Sequence, residues 1–234
     1  MGDAALAIMA KLPAVGQAKS RLSPVLTPSD AAALYEALLL DTIELAGGLE
    51  GVQLAIGITP SDAVDYFRHI SPSNTVLIPV DGADIGDCLK QALGQLLADD
   101  YARALALNSD GPTLPVTILR QACAELENRE IDVVLGPNED GGYYLIGIKQ
   151  PHPELFEGIS WSTSQVTSQT LTKAETLGLE VAQLPPWYDV DTPAELDRLR
   201  AELPTLPDTS LRHTRRFLDG SGRTETPGTD SGSV

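Results

Sequence analysis

Asp110 is the residue whose setting points most directly to chemistry. It stands in Asn108-Ser109-Asp110-Gly111-Pro112, a loop entered from the apolar run Ala104-Leu105-Ala106-Leu107. Four apolar residues bounded by Asn, Gly and Pro suit a buried parallel strand and are short for a helix. Ligands in open α/β sheets bind just beyond such strand ends. A carboxylate there can hold Mg²⁺ or Mn²⁺ against a diphosphate, because both are hard cations that take oxygen ligands. The same residues would also build an Asx turn that merely satisfies backbone amides.

Ahead of a brief basic patch at His213 to Arg216, positive charge is densest in one place. Lys11, Lys19 and Arg21 fall in Lys-Leu-Pro-Ala-Val-Gly-Gln-Ala-Lys-Ser-Arg-Leu, and no further Lys or Arg follows until Arg68. On a Gly/Pro loop such a group reads as a phosphate cradle: Gly16 lets the backbone approach an anion, Lys supplies a point charge, and Arg supplies paired donors. A solvated loop with scattered cations is the alternative. Pro137-Asn138-Glu139-Asp140-Gly141-Gly142 joins two strand-like runs. Its glycines permit positive φ and close approach to a ligand, and Asp140 could accept from a hydroxyl or take its proton. A polar hairpin, for which Asp-Gly is a strong signal, fits equally well. None of the three histidines lies in a motif, so histidine acid–base chemistry is not expected.

The composition narrows the partners. There are 33 acidic against 16 basic residues, a net charge of −17, with 42% hydrophobic and 21% charged residues. That balance argues against a nucleic-acid or anionic membrane surface as the main partner. Cys88 and Cys123 show no metal-ligand spacing and are expected to be buried thiols in a reducing cytosol. The start of the chain has no basic segment followed by a long apolar one, and no run approaches the roughly 20 apolar residues of a membrane span. The expectation is a soluble, cytoplasmic protein.

The elements that must carry these loops follow from hydrophobic pattern. Ala4 to Ala10 is a continuous apolar run, as in a strand covered on both faces. Thr27-Pro28-Ser29-Asp30 caps a helix that stops at Gly47-Gly48. Strands are expected at Val52 to Ile58 and Thr75 to Pro79, with a short helix from Ser61-Asp62 to Phe67 between them. The stretch Asp81 to Asp87 leads into a helix ending at Leu97. After the Ala104 strand come a helix at Val116 to Leu126 and strands at Asp132 to Gly136 and Tyr143 to Ile148. A helix capped by a hydroxyl of Trp161-Ser162-Thr163 runs to about Gly178, and Asp191 or Thr192 caps a last one at Pro193. Strands alternating with helices predict a mixed, mostly parallel sheet with helices on both faces. The transferase-type domain is expected over residues 1–205, with residues 206–234, rich in Pro, Thr, Ser and Gly, as a disordered tail.

Taken together, the chain resembles the bacterial family of GT-A-type nucleotide-diphospho-sugar transferases, formerly a domain of unknown function and often labelled glycosyltransferase. The residues that carry the likeness are Lys11-x-Pro13-x-x-Gly16-x-x-Lys19-x-Arg21-Leu22, Ser109-Asp110-Gly111-Pro112-Thr113-Leu114-Pro115, Leu135-Gly136-Pro137-x-x-Asp140-Gly141-Gly142-Tyr143-Tyr144-Leu145-Ile146-Gly147, Trp161-Ser162-Thr163 and Tyr188-Asp189-Val190-Asp191-Thr192-Pro193. The resemblance implies an α/β GT-A fold that binds a nucleotide over its first half and an acceptor over its second. It implies Mg²⁺ or Mn²⁺ at Asp110. By similarity to molybdopterin-type nucleotidyltransferases it adds Asp191 as a second ligand, in preference to Asp189. Lys11, Gly16, Lys19, Arg21, Asp84, Gly86 and Ser109 would serve the nucleotide and its phosphates. Asp140, Gly141, Gly142, Tyr143, Trp161, Ser162 and Thr163 would serve the second substrate, and Asp110, Asp140 and Lys19 would carry the catalysis. Two positions depart from the pattern: Gly111, where the family commonly has Ser or Cys, and Asp87, where an Arg is expected.

The activity this implies is metal-dependent transfer from a nucleotide-activated sugar to a small-molecule acceptor. Nucleotidyl transfer from a nucleoside triphosphate, as in phospholactate guanylyltransferases, is the alternative. A catalytically inactive nucleotide-binding module is a third. Neither a nucleic acid nor a membrane is expected as partner, and the oligomeric state stays open, a homodimer included.

Overall fold

The computed structural model describes residues 3–220. Seven strands form one sheet: β1 (Ala4–Lys11), β2 (Val52–Thr59), β3 (Val76–Pro79), β4 (Arg103–Asn108), β5 (Val133–Pro137), β6 (Tyr143–Ile148) and β7 (Val181–Gln183), in the order β3-β2-β1-β4-β6-β5-β7. β6 is antiparallel to both neighbours and the other pairings are parallel. The helices are α1 (Pro28–Gly47), α2 (Val64–Ile70), α3 (Ile85–Ala98), α4 (Val116–Glu125), α5 (Val166–Thr176), α6 (Pro193–Glu202) and α7 (Arg212–Leu218). The expected mixed, mostly parallel α/β sheet is therefore observed.

Period-two alternation decides which face each strand residue serves. Ala5, Ala7, Ala104 and Ala106 turn toward Leu89, Ala92, Leu93 and Leu96 of α3. Small side chains there let the helix lie close to the sheet. Leu6, Ile8, Leu105 and Leu107 turn the other way, onto Leu39 and Ile43 of α1 and Ile118 and Leu119 of α4. The side chain of Thr27 accepts from Asp30 N, with Pro28 in the first turn, which fixes where α1 begins. Its outer face is buried too, as Leu34 and Leu38 pack with Leu22, Val190, Leu196, Leu199, Leu211 and Phe217.

The tail expected from residue 206 onward is corrected by this last cluster. Leu211 and Phe217 are buried, and α7 docks on α1. Asp41 accepts from His213 N at 3.1 Å and Thr214 N at 2.8 Å, satisfying the amides at the start of α7. Polar composition masked two apolar anchors. Residues 221–234, also part of that expectation, lie outside the described residues.

Topology places the loops of interest on one edge. β1, β2, β4 and β5 run parallel, so Lys11, Thr59, Asp110 and Asn138 leave the sheet at the same end. β6 runs the other way, with Leu145 opposite Leu107, which brings the Asp140-Gly141-Gly142 loop at its start to that edge. Beyond β7 the chain continues the ladder. Leu184 N donates to Leu135 O, Trp187 N to Pro137 O, and Val190 N to Asp110 O. This extended stretch delivers Asp189 and Asp191 beside Asp110.

Candidate active site

The loops surround a cleft of about 800 Å³. At its centre Lys19 Nζ lies 2.7 Å from Asp110 Oδ2 and 2.7 Å from Asp191 Oδ1. The Lys19 side chain is 4% exposed, against 22% for Asp110 and 36% for Asp191. Burial alone would push its ammonium toward neutrality. The two carboxylates outweigh that and hold its pKa well above the ordinary lysine value. Lys19 has φ 52° and ψ 42°, a left-handed conformation unusual for a side-chain-bearing residue, and opens the 3-10 turn Ser20–Leu22. Leu22, fully buried, anchors that turn. Lys11 and Arg21 line the same cleft and are exposed; Arg21 reaches Asp191 Oδ2 at 3.9 Å.

The acidic side rests on a buried frame. Asp191 N and Thr192 N both donate to Glu195 Oε2, a capping box that fixes the start of α6 and frees the Asp191 carboxylate for Lys19. Thr192 is thus the cap and Asp191 is not. Asp189 accepts from Asn108 Nδ2 at 2.7 Å and, through a shorter hydrogen bond, from Asn138 Nδ2. Its Oδ1 is buried without a partner. Burial first, and the nearby Asp110 charge second, push the Asp189 carboxyl well above the usual carboxylate range. Gly111 fits this packing, since a Cβ there would stand 3.1 Å from Asp189 Oδ1 and 3.2 Å from Tyr188 O. On the other flank Tyr35 Oη accepts from Lys11 N and hydrogen-bonds Ser109 Oγ, both at 2.9 Å, tying the ends of β1 and β4 together.

The two carboxylates converge on one ammonium, so they offer oxygen donors at a single point. Hard oxygen donors from one or two carboxylates, with phosphate oxygens and water completing the shell, suit Mg²⁺ or Mn²⁺. Another group of ligand-type side chains, Asp41, Glu44 and His213, lies on the far side of α1. Its groups are committed to the α7 amides and, through Glu44, to Arg212 at 2.6 Å.

The second half of the cleft is built differently. Asp140 Oδ1 accepts from Gly142 N at 2.9 Å, a local turn that leaves the exposed carboxylate at the rim. Gly141 has φ 92°, and a Cβ on it would sit 2.2 Å from Ser164 O, so the loop and the start of α5 demand glycine there. Tyr143 and Trp161 meet edge to face at 6.2 Å and form a wall with Ser162, Thr163 and Ser164. Burial raises the Tyr143 phenol pKa, and its hydroxyl has no partner.

Most of the residues singled out from the sequence meet here, and some do not. Lys11, Lys19, Arg21, Ser109, Asp110, Asp140, Gly142, Tyr143, Trp161, Ser162, Thr163 and Asp191 all line the cleft. Gly16 lies outside the lining in an exposed turn, where φ 79° accounts for the glycine. Asp84 caps α3 by accepting from Asp87 N. Gly86 is buried beneath the Trp161 indole, where a Cβ would fall 2.5 Å from the ring. Asp87 pairs with Lys90 at 2.8 Å, away from the cleft, so the reversed charge does not face it. The helix after Trp161 starts at Val166 without a side-chain cap; Thr163 Oγ1 caps the preceding turn instead, accepting from Gln165 N. Tyr35, Asn108 and Asn138 were missed as site residues. An isolated tyrosine in an apolar helix and asparagines at strand ends carry no local signal of the long-range bonds they make.

Comparison with known proteins gives the family and the fold. A family model described as "Uncharacterized protein conserved in bacteria (DUF2064)" matches residues 42–163. The chain is 31% identical to the crystal structure of a "putative nucleotide-diphospho-sugar transferase" from Desulfovibrio desulfuricans G20, with TM-score 0.83 over 94% of this chain and 96% of that one. Fold likeness alone extends to a cytidylyltransferase from Leptospira borgpetersenii (13% identity, TM-score 0.55, 94% and 95% covered). It extends also to CMP:2-keto-3-deoxy-manno-octonic acid synthetase complexed with CTP (13% identity, TM-score 0.54, 86% and 99% covered). No curated protein sequence matches the chain.

Proposed function

The chain belongs to the bacterial DUF2064 family, and we propose that it works as a metal-dependent transferase that uses a nucleotide-activated sugar. The observation that carries this is the convergence of Asp110 and Asp191 on a single buried cation, beside Lys11 and Arg21, at the carboxyl ends of parallel strands. The likeness to a structure named as a nucleotide-diphospho-sugar transferase supports the donor class.

Asp110 and Asp191 would hold Mg²⁺ or Mn²⁺, which when bound supplies charge neutralisation on the leaving diphosphate. Lys11 and Arg21 bind the phosphates directly, and Lys19 turns from the carboxylates toward them. Asp140, at the opposite rim, orients the acceptor hydroxyl and takes its proton. Tyr143 and Trp161 exclude water from that side.

Nucleotidyl transfer is the second reading. Three cations within residues 11–21 favour it, since a triphosphate carries more charge to neutralise than a diphosphate. A melting panel separates the two. UDP- and GDP-sugars and the nucleoside triphosphates are each added with Mg²⁺ and with EDTA. Ligand at about 100 times its dissociation constant adds roughly 2.7 kcal/mol. Metal-dependent stabilisation by a nucleotide sugar supports the first reading, stabilisation by a triphosphate alone supports the second, and none by either defeats both.

A further inference from the structure

Every basic side chain that lines the cleft belongs to one segment, residues 11–21. Lys11, Lys19 and Arg21 are the basic residues of the lining, and Arg21 also borders a small recess with Asp140 and Asp191; among the described residues no Lys, Arg or His on the segments that carry Gly142, Tyr143, Trp161, Ser162, Thr163 and Ser164 lines the cleft. The cations on elements packed around that side are committed elsewhere. Lys90 of α3 pairs with Asp87, and Arg198 of α6 pairs with Glu139 and Glu202 while stacking on Tyr188 at 3.7 Å. Lys173 lies in the last turn of α5, away from the cleft.

A helix N-terminus could take the place of a cation for a phosphate, and α5 begins at this wall. Its first amides are already spent. Gln165 N donates to Thr163 Oγ1, Val166 N to Thr163 O, and Thr167 N to Gly141 O, while the Thr167 hydroxyl donates to Gly142 O. A dianionic phosphate placed against Tyr143, Trp161 and Ser162 would meet no cation of that wall; the cation bordering Asp140 is Arg21, which already faces Asp191 at 3.9 Å. What the wall does offer is a carboxylate and hydroxyls for polar groups, and the Trp161 ring for an apolar face.

We infer that the second substrate is an uncharged polyhydroxylated molecule, and that it is not a phosphorylated acid or sugar phosphate. The inference rests on the transferase reading above and sharpens it. An acceptor hydroxyl oxygen forms the new bond to the anomeric carbon of the donor, and the bond from that carbon to the diphosphate oxygen breaks. The diphosphate leaves with the electron pair, and the hydroxyl proton passes to Asp140. Nucleotidyl transfer to a phosphorylated second substrate would instead use a phosphate oxygen as nucleophile, against a wall that has no cation of its own for it.

Ligand-observed saturation-transfer NMR tests this on the full-length protein with Mg²⁺ and, in turn, UDP and GDP. The probes are matched pairs: glucose with glucose 1-phosphate, and glycerol with glycerol 3-phosphate. The neutral member of at least one pair binds, at least about tenfold tighter than its phosphorylated partner. Ser164→Arg, at an exposed position of the wall, narrows or reverses that preference, and Trp161→Ala abolishes binding of the neutral member while nucleotide binding persists. Tighter binding of the phosphorylated members, binding of neither member, or indifference to Ser164→Arg would overturn the inference. If neither UDP nor GDP binds, the failure lies with the nucleotide reading, and the two failures are thereby distinguished.

Discussion

Lys19 Nζ lies 2.7 Å from Asp110 Oδ2, although 91 residues separate them in the chain, and the same nitrogen is 2.7 Å from Asp191. An internal ammonium thus occupies the point where, on the proposed reading, the two carboxylates would hold a divalent ion. Removing one partner of a buried ion pair costs about 3–5 kcal/mol, and the partial exposure of both acids lowers the expected loss here to about 1–3 kcal/mol. Lys19→Met should melt earlier in EDTA and recover most of the loss with millimolar Mg²⁺, whereas the wild type gains less from the metal. Calorimetric melting of both proteins checks this, and identical curves in EDTA would refute it.

Two glycines of α3 should respond to the same substitution with opposite signs. A Cβ at Gly86 falls 2.5 Å from the Trp161 ring, while one at Gly94 meets nothing within 4 Å. Gly86→Ala should cost about 1–3 kcal/mol as the indole is displaced and shift the tryptophan emission. Gly94→Ala should stabilise by about 0.5–1 kcal/mol, the helix-interior difference between the two residues. Denaturant unfolding followed by fluorescence measures both.

Asp189 gives a pH signature in the metal-free protein. Its carboxyl is pushed well above the ordinary range by burial and by Asp110, so across the interval above the unfolded carboxylate pKa the folded state binds more protons than the unfolded one. Stability from this group is therefore present at low pH and falls as pH rises toward the folded value. Asp189→Asn mimics the protonated acid and removes that slope. In EDTA, its melting temperature relative to wild type should be more favourable at pH 8 than at pH 4.5; the reverse order would contradict the assignment.

Residues 206–220 belong to the folded unit. Phe217 is 3% exposed in the cluster with Leu34, Leu38 and Leu211. Phe217→Ala should therefore cost about 3–5 kcal/mol, which chemical denaturation would reveal as a large drop in midpoint. A midpoint unchanged from wild type would mean that α7 does not dock.

What could be read from the chain divides along local and non-local lines. The strands at Ala4 and Ala104, the Thr27 cap and the Thr192-Pro193 helix start follow from short windows, because apolar runs and caps are set by neighbouring residues. The loops around Asp110 and Lys19 were identifiable by type and spacing. Their meeting was not, since it depends on β1 and β4 pairing and on the stretch past β7 crossing to Asp110. For the same reason the three-residue β7, the buried site for α7 and the role of Gly86 beneath Trp161 left no pattern in sequence. Asp189, set aside in favour of Asp191 as a ligand, also left no local signal of its place: two positions from Asp191, it faces Asn108 and Asn138 as part of the buried frame.

The most direct test of the central claim is a calorimetric titration of the wild type and of Asp110→Asn with UDP- and GDP-sugars, in Mg²⁺ and in EDTA. The account predicts that one nucleotide sugar binds the wild type in Mg²⁺ and at least about tenfold more weakly in EDTA, with Asp110→Asn as weak in Mg²⁺ as the wild type is without it. Binding that is equally tight in EDTA and in the variant would contradict a metal-assisted diphosphate site at Asp110 and Asp191.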